Sequence, residues 1–496
     1  MPDNGNELGM TVDIEPVESD GELEEPTVIK ADTASDNQAT PWVAVVILLL
    51  IAIFDVCVLM IPVPIAPEFV EGHLKLSGPH VGVAVGLITS AYHLGNSISS
   101  AMMGDISDVH GRKPVILLGM VTSCVTVALF PLSTSLWMAV GNRFLCGFFN
   151  ANITMTKSSI SDLSRTWDAE RRNMIFGYLG GAWGLARFFS SAFVGFTSGI
   201  MLPFLPFAAD NPFLFPCFVS SFFVLLTTIA AALFLPETCP PRSREDRTNA
   251  GDAQMMQFQG TSMLGRLRDL NRFGGSALLK LLVLHMFHQG LNGGIVTCFV
   301  LLLALSDGEG GYGMNANAVG LVFAFYGVVG LLFQVFLYGP LVKTAGIRKS
   351  YSVGTFLLGV GSICLVLGTE LVAVSIVNSV RMGIVMVCTI PQAIGFMCGL
   401  PVLIALIANA SPHDLMGLTQ GTAQSSGAFF RMLGPLVFGT FFSYSVRRTG
   451  PWGTFSILAA CYLGMTLSTY NLPESLEHPW KEQDLDADPL ESSQDN

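Results

Sequence analysis

Asp55 stands midway along an apolar run of roughly residues 43–62. A charge at the centre of a membrane-length apolar segment costs at least about 2.5–3.5 kcal/mol, so it is a functional candidate by default. A carboxylate there can carry a proton or meet a cationic substrate. The plain alternative is a structural ion pair with Arg143 or Arg187, each inside a later apolar run. His93, followed by Asn96, places an imidazole, the side chain that titrates nearest neutrality, in the next run. It serves either as a proton carrier or as a satisfied bundle residue. Arg187 is either a substrate contact or a residue that snorkels to the interface. Arg431, three residues before Gly434-Pro435, binds an anionic group or locks packed helices. His285 and His288 are spaced to lie on nearly one helix face, with Gln289 and Asn292 beyond. Two histidines without a close acid are weak metal ligands, so they read as polar cavity lining, and no metal or other cofactor is expected. Gln334 and Gln392 are further lining candidates, and Phe323, Phe325 and Tyr326 offer an apolar wall.

The elements that must position these groups are membrane helices. Hydrophobic residues make up 51% of the 496-residue chain and charged residues 12%, against about 25% charged in soluble proteins. Apolar runs of about 20 residues recur, as a polytopic helical protein requires; barrel strands would instead alternate over about ten residues. The runs divide into twelve expected spans, roughly 43–62, 80–103, 114–132, 136–160, 173–198, 212–235, 277–305, 316–340, 351–369, 384–409, 418–443 and 451–471. The segment from Glu370 to Arg381 either extends the ninth span or re-enters the membrane. The net charge of −12 belongs to the ends: residues 1–40 carry −10 and residues 474–496 carry −7, leaving +5 between them. Both tails, 1–41 and 473–496, are expected to be disordered and solvated, and nucleic acid is not an expected partner. The first forty residues have neither a basic nor an apolar signal-peptide region, so the first span is the expected insertion signal. Ten cysteines without a CxxC pair suggest free thiols. Asn152-Ile153-Thr154 and Asn409-Ala410-Ser411 match the glycosylation sequon, but both positions are expected to be inaccessible to modification.

Lys and Arg concentrate in alternate loops: Arg112 and Lys113, then Arg165, Arg171 and Arg172, then the long loop from Arg242 to Arg272, then Lys343, Arg348 and Lys349. Arg447 and Arg448 run against the pattern. The bias places both termini in the cytoplasm. Residues 236–276 separate a first bundle, 42–235, from a second, 277–472. In this connector Met263, Leu264, Leu267 and Leu270 recur at helical spacing, which fits either a surface amphipathic helix or a plain linker helix. Between the second and third spans runs Gly104-Asp105-Ile106-Ser107-Asp108-Val109-His110-Gly111-Arg112-Lys113-Pro114, read as a charged turn. Gly339 to Gly346 repeats its glycine interval, with Lys343 at the aspartate position. Duplicated halves with a site between them are a transporter plan.

The Gly-x-x-x-Asp-x-x-Gly-Arg-Lys pattern resembles the signature loop of the major facilitator superfamily. Arg143 with Gly147 resembles that family's second motif, an intramembrane arginine linked to proton coupling. Gly327, Gln334, Asn409-Ala410-Ser411-Pro412, Ala423-Gln424-Ser425, Arg431, Gly434-Pro435 and Leu472-Pro473-Glu474-Ser475-Leu476 are similar to fungal twelve-span drug:proton antiporters and zinc-induced facilitator-like transporters. The resemblance covers about 42–476 and implies an all-α integral membrane protein of two pseudo-symmetric six-helix bundles. It implies a proton-coupled exporter of small organic molecules. The sequence offers no nucleophile–base set, metal cluster or phosphate loop, so no enzymatic chemistry is expected, and a monomer in the plasma membrane rather than the vacuolar one is the further expectation. Asp55 or His93 would then exchange the proton and Arg143 would tune the carboxylate. The stretch with Gly104, Asp105, Asp108, Gly111, Arg112 and Lys113 would latch one face, Asp108 pairing across the halves. Asn96, Arg187, His285, His288, Gln289, Gln334, Gln392 and Arg431 would line the substrate path. One departure stands out: Ser190-Ser191 occupies the place of the antiporters' Gly-Pro pair. An uncoupled or import-directed facilitator is therefore the first rival, and a transport-dead sensor the second.

Overall fold

The computed structural model describes residues 41–164, 169–201, 211–238, 263–374, 378–411 and 416–477, which contain helices and connections and no strand. The acidic tail 1–40 lies outside the described residues, as does 478–496. The first half comprises α1 (Pro41–Met60), α2 (Pro62–Glu68), α3 (Pro79–His110), α4 (Arg112–Leu129), α5 (Leu136–Phe149), α6 (Asn152–Leu163), α7 (Ala169–Thr197) and α8 (Leu214–Phe234). The second comprises α9 (Met263–Ala304), α10 (Ala316–Leu332), α11 (Tyr338–Ala345), α12 (Ile347–Val374), α13 (Asn378–Asn409), α14 (Met416–Thr449) and α15 (Trp452–Thr469). Seven stretches of these helices are long and apolar enough to cross a membrane on length and composition alone. The exposed side chains of α8, among them Phe222, Phe223, Leu226 and Leu233, are apolar, as a helix in lipid requires.

Several boundaries differ from the sequence reading, each for a local reason. The stretch from Gly104 is not a loop: α3 runs on to His110, because nothing before Gly111 breaks it. The turn is Gly111 alone, at φ 96°, and Gly346 repeats it at φ 84°. Only glycine takes that conformation without a Cβ penalty. The expected fourth span is broken, α5 ending at Phe149 and α6 starting at Asn152. The connector's helical segment is neither a separate surface helix nor a linker helix; it is the first turns of α9. Of residues 370–381, the first five extend α12 to Val374, as one of the two expectations had it, and Asn378 onward begins α13. A π-helical turn, Phe333–Leu337, joins α10 to α11 inside the expected eighth span.

The second tail begins later than expected. Leu472 and Leu476 are buried and Glu474 pairs with Arg348 at 2.9 Å, so the chain stays docked through Glu477. The first half has a counterpart. Glu237 accepts the backbone N–H groups of Arg112 at 2.8 Å and Lys113 at 3.1 Å, at the N-terminus of α4, where a helix favours an anion. Arg112 itself pairs with Asp162 at 2.7 Å. Leu-Pro-Glu thus closes the last helix of each half against the turn at Gly111 or Gly346.

The halves meet along α3 with α14 and α7 with α10. These contacts are backbone-close. A Cβ on Gly82 would lie 2.6 Å from the Gly439 carbonyl oxygen, and one on Gly320 would lie 2.4 Å from the Gly195 nitrogen. Ser90 donates across the halves to the Met432 carbonyl at 2.7 Å. Glu68, at the end of α2, accepts the backbone N–H of Ala316 at 2.6 Å. These contacts lie between the middle of the helices and the Glu68 end, away from Gly111 and Gly346.

Candidate functional site

Asp55 is 1% exposed, and its surroundings are made by the break between α5 and α6. At Asn150 the backbone turns extended (ψ 93°), which frees its carbonyl from the helix. Asn96 on α3 donates to that carbonyl at 2.6 Å, as a buried backbone acceptor requires. The Asn150 side-chain oxygen accepts from the Asn152 N–H at 3.2 Å, a local turn that starts α6. Both amide nitrogens then point to one carboxylate oxygen: Asn150 Nδ2 lies 2.5 Å and Asn152 Nδ2 3.1 Å from Asp55 Oδ1. Asp55 Oδ2 is buried without a partner among the described residues. A proton can join Oδ2 without disturbing either bond to Oδ1. Asn96 therefore braces the break, and Asp55 forms no ion pair with Arg143 or Arg187 among the described residues.

Arg143 has another set of partners. It donates to the carbonyls of Val58 and Leu59 at 3.3 Å each and lies 4.9 Å from the centroid of the Tyr92 ring. Val58 would ordinarily accept from residue 62, but Pro62 has no N–H. The guanidinium replaces that missing donor and holds the α1–α2 junction to α5. His93 is buried beside the Tyr92 ring. Asp105 and Asp108 lie on α3, but their side chains lie outside the described residues, and with them the expected pairing of Asp108 across the halves. Arg112 and Lys113 instead frame the Glu237 contact. Lys157 on α6, near the end of the expected fourth span, is a cation absent from the expected set.

On the second half, His285 faces Gln289 at 3.4 Å, and His288 Nδ1 meets the Tyr351 hydroxyl at 3.2 Å. His288 Nε2 lacks a partner among the described residues. Among the described residues no group of three or more His, Cys, Asp or Glu could hold a metal ion. Gln334 sits in the π-helical turn with its side-chain oxygen buried and unpartnered, and Arg431 Nε on α14 is in the same condition.

A cavity of about 40 Å³ lies where the halves meet, lined by Met60, Arg187 and Ser191 from the first half and by residues including Phe299, Phe323, Tyr326, Gln392 and Phe396 from the second. The Arg187 guanidinium sits 4.6 Å from the centroid of the Phe396 ring. The expected lining residues thus separate. Arg187 and Gln392 share this cavity, whereas His285, His288 and Gln289 form a different buried cluster on α9.

A helical body of two halves, with apolar outer surfaces and ionisable groups inside, defines a multi-pass membrane protein with its candidate site between the halves. The family model described as Major Facilitator Superfamily matches residues 48–306. The chain belongs to the major facilitator superfamily, whose members are transporters working in a lipid bilayer on small molecules. It is 26% identical over 392 residues to zinc induced facilitator 1 of Arabidopsis thaliana, covering 74% of this chain and 77% of that one. It is 25% identical over 407 residues to the class G tetracycline resistance protein of Vibrio anguillarum, covering 82% and 92%. The structure of a D-xylose-proton symporter superposes with a TM-score of 0.66 at 15% identity, over 89% of this chain and 99% of that one.

Proposed function

We propose that this chain is a twelve-span, proton-coupled exporter of a small organic molecule, working by alternating access with both termini in the cytoplasm. The observation that carries it is Asp55: among the described residues it is the one buried carboxylate, with Oδ1 held by Asn150 and Asn152 and Oδ2 bare. A carboxylate so held can take and release a proton as the cavity changes sides, while its mount stays in place. Closure of the halves at the Glu68 end, with the lysine- and arginine-rich ends opposite, supports a state in which the path opens to the cytoplasm. One relative is named for tetracycline resistance, and export of a drug-like molecule is carried over to this chain as part of the proposal.

The test is substrate-driven proton movement. Purified protein in liposomes holding a pH-sensitive dye is exposed to a panel of organic cations, anions and neutral compounds. The expected result is a substrate-dependent pH change that Asp55→Asn abolishes. Substrate movement without a pH change, untouched by Asp55→Asn, would establish an uncoupled facilitator. Ser190-Ser191 favours that second reading: α7 runs unbroken through both residues to Thr197, without the flexible point that a Gly-Pro pair gives.

A further inference from the structure

We propose that the cavity around Arg187 seats the anionic head, a carboxylate or sulfonate, of an aromatic organic anion. The inference rests on the transporter reading and names its substrate class. The Arg187 guanidinium has no hydrogen bond or ion pair to a described residue, and its carbon lies 4.6 Å from the centroid of the Phe396 ring. Its N–H donors are therefore available to a planar oxyanion, which a guanidinium fork can bind in a bidentate way. Gln392 supplies the second observation. It lines the same cavity, is 2% exposed, and both its amide nitrogen and its amide oxygen lack partners. A buried amide without partners is costly, and a ligand accepting its N–H recovers that cost.

The charge balance points the same way. The one buried carboxylate among the described residues, Asp55, has Oδ1 engaged by asparagines and forms no ion pair with Arg187. Arg431 lies within electrostatic reach of Arg187 and adds to the positive potential. A cation here would be repelled in a medium where charges act strongly, and a neutral ligand would leave the guanidinium uncompensated. The size suits a head group: the cavity of about 40 Å³ is a few times the roughly 10–15 Å³ that one water needs. Phe299, Phe323 and Tyr326 beside it supply the apolar wall for an attached ring.

The experiment uses the full chain in nanodiscs, without a gradient, and series of aromatic ligands that share a body and differ in the head: 4-phenylbutyrate, 4-phenylbutyramide and 4-phenylbutylamine, with the naphthalene sulfonate, sulfonamide and amine set beside them. Calorimetry reads binding. Acids are expected to bind at least about tenfold tighter than amides, with amines weaker still. Arg187→Gln is expected to abolish the preference for acids and Arg187→Lys to retain part of it, while Gln392→Leu weakens acids about fivefold and leaves amides unchanged. The proposal is overturned if amines or amides match the acids, if Arg187→Gln binds acids as the wild type does, or if no acid binds up to about 10 mM. Flux of the same compounds in liposomes separates the two readings. Acids that bind but never cross remove the transporter reading alone, and amines that cross while acids fail to bind remove this inference alone.

Discussion

Asp55 and Arg143 look alike in the sequence, each a charge in an apolar run, yet the structure gives them opposite surroundings. The Asp55 carboxylate keeps one oxygen bare, whereas Arg143 supplies a donor that Pro62 takes from the backbone. Their substitutions should therefore separate. Arg143→Met leaves the buried Val58 carbonyl unpaired, a loss of about 1–3 kcal/mol, and should lower the thermal midpoint and the folded yield in detergent. Asp55→Asn keeps the shape and removes the charge; its thermal midpoint should equal or exceed the wild type's while substrate-driven proton movement disappears. Asn150→Leu should lose both, because the amide that holds Asp55 also shapes the break. Both charges were legible because membrane cost marks them. Asn150 was silent, and Asn152 registers in the sequence only within a sequon pattern. Their importance depends on an interruption of the helix that apolar periodicity does not display.

At the scale of helices, seven of the twelve expected runs coincide with helical stretches long and apolar enough to cross a membrane, and the ends were read poorly. A charged, glycine-flanked stretch such as Gly104–Gly111 has the composition of a loop, but composition does not end a helix; the positive φ of Gly111 does. The same holds for Met263–Phe273, whose amphipathic pattern fits a surface helix although the backbone continues into α9. The α7–α10 contact follows another rule. Ser190-Ser191 stands in place of the antiporters' Gly-Pro pair, yet close packing is present further along α7, through Gly195 and Gly320. A side chain on Gly320 would strike the Gly195 backbone itself, which has no rotamer to yield. Gly320→Val should force α7 and α10 apart, cost about 1–3 kcal/mol, and stop transport, read as a lower thermal midpoint together with lost flux.

For the molecule as a whole, closure at the Glu68 end gives a sided expectation. A cysteine placed at Ser90, which is 5% exposed, should react slowly with a membrane-impermeant maleimide. Adding Gly82→Leu, whose Cβ meets Ser443 and the Gly439 carbonyl, should hold that end apart and raise the labelling rate about tenfold or more, reported by gel shift. The docked end of the chain makes a second whole-molecule prediction. Truncation after Glu477 should leave the thermal midpoint unchanged, while truncation after Asn471 removes the Arg348 partner and two buried leucines and should lower it by several degrees.

Each half carries its own Leu-Pro-Glu clasp, fixed to its own glycine turn, and the contacts described within these clasps stay inside the half that owns them. The covalent link between the halves is then dispensable in principle. Cutting the gene within codons 239–262 and producing the pieces as separate polypeptides should yield partners that find each other in the bilayer, along α3 with α14 and α7 with α10, and recover as one complex on a tag carried by either piece.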